Sequence, residues 1–227
     1  DAVPAYTSEY LNNRAQNMAT PQFRIRQGNL GDQAAAYYVC LKTGDHGRDG
    51  EPYFREDPDA LGRIFVGPYL AFEPELSLIL EDELGVCGYA FGALESRQFF
   101  ARYEREWRPR LCEEYPPPTG DPATWTRLQT VYSWYHRPHY ICPEPYDQFP
   151  SHMHIDLLLR ARGAGNGRKM MQIVMDRLRQ RGSPGAHLGV SLQNHHAQSF
   201  YRALGFHELT RDRDEGQGNI YMGKPFN

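Results

Sequence analysis

Three glycines alternate in the run Arg160-Ala161-Arg162-Gly163-Ala164-Gly165-Asn166-Gly167, which lies between the apolar stretch HMHIDLLL and the amphipathic stretch GRKMMQIVMDRLRQ. A turn of this kind at a helix start leaves several main-chain N–H groups without intrahelical partners, and the missing Cβ atoms let an anionic group reach them. The positive end of the helix dipole adds to the effect, so the chemistry the run suits is the cradling of a pyrophosphate. Arg160, Arg162 and Arg168 supply cations at its rim. A dinucleotide fold would need an acidic ribose partner after the next strand, and AHLGVSL ends without one, which argues against nicotinamide or flavin. The same glycines also fit a tight turn that binds nothing.

A second group of residues could move protons. Asp156 interrupts the apolar run HMHIDLLL, and His152 and His154 share its strand parity and face. A carboxylate in that setting is a candidate general base or, more plainly, a structural acceptor of backbone hydrogen bonds. Glu81 and Asp82 are weaker candidates because hairpin tips are solvated. The pairs His136/His139 and His152/His154 lack the H-E-x-x-H pattern and a facial set of carboxylates, so no metal is expected. Cys40, Cys87, Cys112 and Cys142 include no C-x-x-C and read as reduced thiols.

These residues need elements to hold them. FRIR alternates as a strand, and AAAYYVCLKT reads as a helix that Gly44 stops. A second helix is predicted around Pro58 to Leu70. LSLIL and VCGYAFGAL, split by EDELG, form a hairpin whose Gly88 and Gly92 imply close approach of another backbone or a ligand. Residues 96–150 are aromatic, Arg-rich and Pro-rich, and are expected to be an insertion of two short helices and two loops walling a cleft. A strand over His152 to Leu159, a helix over Gly163 to Gln180, a strand over Ala186 to Leu192 and a helix over Asn194 to Leu204 follow. A last hairpin pairs Phe206 to Arg211 with Asn219 to Lys224. Residues 1–21 are polar and weakly periodic, and read as a leader.

The 227 residues carry 25 Lys and Arg against 28 Asp and Glu, a formal charge of -3, which argues against a nucleic-acid or anionic-lipid partner. No apolar run approaches the roughly 20 residues of a spanning helix, and the start lacks a basic-then-apolar signal, so the expected address is the cytoplasm.

Arg160-x-x-Gly163-x-Gly165 resembles the R/Q-x-x-G-x-G/A signature of the GNAT superfamily of acetyl-CoA-dependent N-acetyltransferases, and Asn194 with SFYRALGF resembles its second signature. FRIRQGNLGDQAAAYYVC, LEDELGVCGYAFG and HIDLLL further resemble the acetyltransferase-like C-terminal domain of O-GlcNAcase, as a bacterial relative of it would. The animal domain lacks a proper glycine loop, and its presence in this chain favours retained cofactor binding. The resemblance implies a single α/β (α+β) GNAT domain over 22–227. Its central sheet would be mixed and mostly antiparallel, flanked by helices and splayed between strands four and five. Acetyl-CoA would lie in that splay, its pantetheine arm along Leu157, Leu158 and Leu159 and its pyrophosphate on Arg162, Gly163, Ala164, Gly165, Asn166 and Gly167. Arg160, Arg168, Asn194, Ser199 and Tyr201 would complete the cofactor site. Tyr201 stands where many such enzymes carry a tyrosine that protonates the leaving thiolate, and Asp156 would be the base. The acceptor would be an unknown amine, on a protein or peptide if the Trp and Tyr residues of the insertion line the cleft. A silent acetyl-CoA-binding interaction module is the alternative.

Overall fold

The short edge strand β1 (Arg24–Gln27) pairs antiparallel with β2 (Ser77–Asp82), which pairs with β3 (Gly85–Ala93) across a turn where Gly85 takes φ 102°. These belong to a computed structural model that describes residues 22–137, 140–212 and 218–226. The residues read as a leader, 1–21, lie outside the described ones. The remaining strands are β4 (Ser151–Leu157), β5 (Gly185–Ser191), β6 (His207–Arg211) and β7 (Asn219–Pro225), and the sheet runs β1-β2-β3-β4-β5-β7-β6. Every neighbouring pair is antiparallel except β4 and β5.

That parallel pair determines where the site is. β4 stays paired with β3 as far as Leu157, opposite Gly88, and β5 stays paired with β7 as far as Ser191, opposite Asn219. Between them only Ser151↔Ala186 and His152↔His187 are in register, so the facing edges part from Met153 onward. Each strand keeps one full neighbour and presents unpaired peptide groups on its other edge, a ready template for an extended ligand.

Helices cover both faces. On one lies α8 (Asn166–Gln180), whose Met170, Met171, Val174 and Leu178 are wholly buried. On the other lie α1 (Gln33–Thr43), α2 (Glu51–Phe54), α3 (Gly62–Phe65) and α4 (Gly67–Phe72). The helix expected around Pro58 to Leu70 is thus two short ones. Val66, at φ -129°, ends the first, and Pro68, lacking an amide hydrogen, suits the start of the second. At Gly88 an added Cβ would meet Leu157 Cδ2 at 2.3 Å, and at Gly92 it would meet Val174 Cγ1 at 2.7 Å. What comes close there is the Leu157 side chain of β4 and the Val174 side chain of α8.

Between β3 and β4 the chain forms α5 (Ser96–Arg102), a π-helical turn at Tyr103–Trp107, α6 (Arg108–Glu114) and α7 (Arg127–His136). The expected first short helix is therefore one longer α–π–α rod. Trp107 Nε1 donates to the Arg63 carbonyl at 2.8 Å and Tyr135 Oη to that of Ala60 at 2.7 Å, which fastens the segment to the chain around α3. After β5 comes α9 (His195–Ala203), capped by Asn194, and Gly205 at φ 90° then turns the chain into β6. Among the described residues no helix is long and apolar enough to cross a membrane.

Candidate active site

A cavity of about 1760 Å³ occupies the gap between β4 and β5. Its two ends differ in chemistry.

At one end the chain leaves β4 after Leu157, two residues earlier than expected. Leu158 N donates to the Cys87 carbonyl at 2.8 Å, and a 3-10 turn at Leu159–Ala161 follows. Helix α8 begins at Asn166 rather than Gly163, because Gly163 (φ 82°) and Gly165 (φ 77°) hold left-handed backbone that a helix cannot include. No side chain caps α8, and the amides of Gly163, Ala164, Gly165, Asn166, Gly167 and Arg168 have no acceptor among the described residues. Arg162, Gly163, Gly165, Gly167 and Arg168 line the cavity. Arg162 is braced by the Leu157 carbonyl (Nε, 2.9 Å), while Arg168 Nη2 reaches the Ala203 carbonyl at 3.3 Å.

The other residues expected here fall in different places. Arg160 turns away from the cleft to Asp82 (2.7 Å), holding that carboxyl below its usual range. Leu157 lines the cavity, Leu158 is buried beside it, and the Leu159 side chain is 82% exposed. Asn166 Nδ2 donates to the Ala161 carbonyl at 3.2 Å, bracing the loop from within. Asn194 and Ser199 both line the cavity; Asn194 spends its side-chain oxygen on capping α9, and Ser199 Oγ donates to the His195 carbonyl at 3.0 Å.

The turn at 44–48 takes part in the site without any motif in its sequence to announce it. Gly47 (φ 87°) accepts Arg162 Nη2 on its carbonyl at 2.8 Å, and His46 (φ 53°) places Nδ1 2.8 Å from Ser191 Oγ. It therefore ties the loop after β4 to the end of β5 across the mouth of the gap. The glycines of GDHGRDG suit a turn, but nothing local says what such a turn touches.

The other end is aromatic and carries the titratable groups. Phe65, Tyr69, Phe100, Trp134 and Tyr140 line it. His152, His154 and Asp156 face it from β4, as their parity predicts, and Tyr201 reaches it from α9. Tyr89 Oη donates to Asp156 Oδ2 at 2.6 Å and lies 3.2 Å from His154 Nε2, which is itself 3.3 Å from Asp156 Oδ2. Burial, with the Asp156 charge second, pushes the Tyr201 phenol above its ordinary value of 10.

His152 is not part of that cluster. Ser96 Oγ donates to the Pro150 carbonyl at 2.7 Å, so it accepts from His152 Nδ1 at 2.8 Å, and His152 Nε2 accepts from Tyr69 Oη at 2.9 Å. Both ring nitrogens are committed, which makes His152 a strut and removes it as a proton relay. Burial holds it neutral, its pKa well below 6.5, with the neighbouring His187 and His154 acting in the same direction. His187, whose Nδ1 donates to the Phe149 carbonyl at 2.7 Å, is lowered too, again chiefly by burial. An unfolded histidine takes up a proton more readily than either folded ring. Stability is therefore complete above the unfolded value near 6.5 and declines as pH falls below it, by up to about 1.4 kcal/mol per pH unit for each ring. Tm should drop between pH 7.5 and 5.5, and about half of the drop should vanish in His152→Gln. A wild-type Tm that stays level over that interval would contradict enforced neutrality.

Comparison with known proteins agrees with this geometry. The acetyltransferase (GNAT) family model matches residues 51–206. The chain is 29% identical over 194 residues to protein O-GlcNAcase of Rattus norvegicus and equally to that of Mus musculus, covering 85% of this chain and 21% of each relative. It thus spans about a fifth of their length. The solved structure of SsHAT superposes with a TM-score of 0.80 at 32% identity, covering 90% of this chain and 98% of SsHAT. The Salmonella typhimurium structure of yncA, described as a putative acetyltransferase with its cofactor acetyl-CoA, shares the fold at TM-score 0.51 and 14% identity, over 90% of this chain and 94% of that one. The mixed sheet opened between β4 and β5, the glycine turn that follows β4 and the family match lead to one conclusion: the chain belongs to the acetyltransferase (GNAT) family.

Proposed function

We propose that this chain binds acetyl-CoA and transfers its acetyl group to an amine, with residues 22–227 acting as one domain and 96–150 as an insertion that walls the acceptor side. The observation that carries the reading is the row of unpaired amides from Gly163 to Arg168 at the mouth of a cleft whose wall is an unpaired strand edge. An anion carrying an extended, amide-bearing tail suits that combination: the amides, Arg162 and Arg168 would hold a diphosphate, and the free edge of β4 would pair with pantetheine. Gly163 and Gly165 have nothing within 4 Å of an added Cβ, so the space in front of them is open to such a group. Bound acetyl-CoA supplies an activated thioester carbonyl.

The residues at the other end then have work of the right kind. An alkylamine with a reference pKa of about 10.4 arrives protonated and must lose a proton before it can attack. The cluster of Asp156, Tyr89 and His154 supports proton acceptance there, and Tyr201 is the donor for the leaving sulfur. The aromatic wall around Phe65, Phe100 and Trp134 keeps water from the thioester and suits a bulky acceptor, on a peptide or protein.

Calorimetric titration with acetyl-CoA and CoA tests binding, and thiol release with a panel of amines and lysine-containing peptides tests transfer. Micromolar binding with amine-dependent release is expected. Absence of binding at millimolar ligand would overturn the reading, and binding without release for any amine would leave an acetyl-CoA-binding module.

A further inference from the structure

We propose that the atom which takes the acceptor's proton is Nδ1 of His154, and that Asp156 and Tyr89 act on it as positioning residues. This rests on the acetyl-transfer reading above and deepens it.

The assignment follows from who can donate to whom. Tyr89 is fully buried, and its hydroxyl sits 2.6 Å from Asp156 Oδ2. An ionised carboxylate has no hydrogen to give, so Tyr89 is the donor and its oxygen is left only able to accept. His154 Nε2 faces that oxygen at 3.2 Å and Asp156 Oδ2 at 3.3 Å. With two acceptors in front of it, Nε2 carries the hydrogen. A neutral imidazole with Nε2–H has its lone pair on Nδ1. No described residue bonds to that nitrogen.

The ring is placed for use. His154 lies two residues beyond the last register pair of β4 with β5, where the edges have parted, and its side chain keeps 29% of its exposure. The rings of Phe65, Tyr69 and Tyr89 lie with centroids 5.9, 6.3 and 5.5 Å from its own and fix its plane. Asp156 Oδ2, in contrast, already accepts from Tyr89 and His154.

The proton and electron balance closes without another reagent. The acceptor's ammonium gives one N–H proton to His154 Nδ1, and the resulting imidazolium stands beside the Asp156 carboxylate. The freed lone pair on nitrogen forms the C–N bond to the thioester carbon, and the C–S bond breaks with its electron pair leaving on sulfur. As the amide forms, nitrogen loses its second proton. Of the two protons, one ends on the CoA thiol and the other goes to water.

Imidazole 15N shifts of ligand-free wild-type protein read the tautomer without any turnover. His154 is expected as Nε2–H with a bare Nδ1 in its neutral form, and Asp156→Asn and Tyr89→Phe should each give a mixed tautomer. In kinetics, His154→Gln should lower kcat by roughly 10²-fold or more, with CoA affinity within about twofold by calorimetry, and should abolish the acid limb of the pH–rate profile. Asp156→Asn should cost roughly tenfold and keep that limb. An Nδ1–H tautomer in the wild type overturns the proposal. So does a His154→Gln enzyme as fast as wild type beside a crippled Asp156→Asn. Failure of the wild type to bind CoA overturns the underlying reading and the catalytic role with it; the tautomer, read from free protein, tells the two failures apart.

Discussion

Gly165→Val should weaken CoA binding by about 10²-fold or more while leaving the protein folded. Gly165 precedes α8 at φ 77°, ψ -2°, and an added Cβ would touch nothing within 4 Å. The damage is therefore done not by a clash within the protein but by the backbone and by a side chain that takes space open to the diphosphate. A β-branched residue in the left-handed region costs on the order of 1–3 kcal/mol, and relaxing that strain rotates the amides that follow. Each charge-assisted hydrogen bond lost to an anion is worth about 1.5–3 kcal/mol, so two lost bonds give at least a hundredfold. The body of α8 is anchored by the wholly buried Met170, Met171, Val174 and Leu178, so Tm should fall only modestly. Gly165→Asn, which tolerates the left-handed region, should bind CoA more tightly than the valine variant and more weakly than wild type. Pantetheine, which has no diphosphate, should not distinguish wild type from the valine variant. Calorimetry with both ligands checks this, and valine and wild-type proteins binding CoA alike would remove the amides from the site.

Much of this arrangement could be read along the chain because it is local. The glycine turn, the hairpin of β2 and β3, and the parity that sets His154 and Asp156 on one face depend on residues a few positions apart. The splay itself came from family resemblance, since no sequence rule says that β4 and β5 pair at only two positions. Contacts between distant segments stayed hidden. That Arg160 is taken by Asp82, 78 positions away, and Arg162 by the Gly47 carbonyl, 115 away, cannot be inferred from an arginine beside a glycine turn. The roles of the two β4 histidines were equally illegible. They share one strand face, yet His152 is locked between Ser96 and Tyr69, which come from α5 and α4, whereas His154 meets Tyr89 from β3. The tertiary partner, not the residue type, separates strut from base.

Tyr201→Phe should lower kcat by roughly 10²-fold, with CoA affinity and Tm close to wild type. The hydroxyl has no protein hydrogen-bond partner among the described residues, so its removal leaves no orphaned group and the ring still fills its place in the core. Burial, reinforced by the Asp156 charge, raises the phenol above 10, so it remains protonated over the working range. A thiol is ordinarily near 8.5, which makes complete proton transfer from such a phenol to the thiolate unfavourable. Tyr201 would therefore act by donating a hydrogen bond to charge as it develops on sulfur, and a proton relayed from solvent would complete the thiol. The size of its effect should then depend on the leaving group. With an acyl donor whose thiol is more acidic, the gap between Tyr201 and Phe enzymes should shrink, because less charge needs help. Measured kcat ratios for two such donors decide the matter: a ratio that does not change with the thiol would mean that Tyr201 positions the acceptor instead of assisting departure.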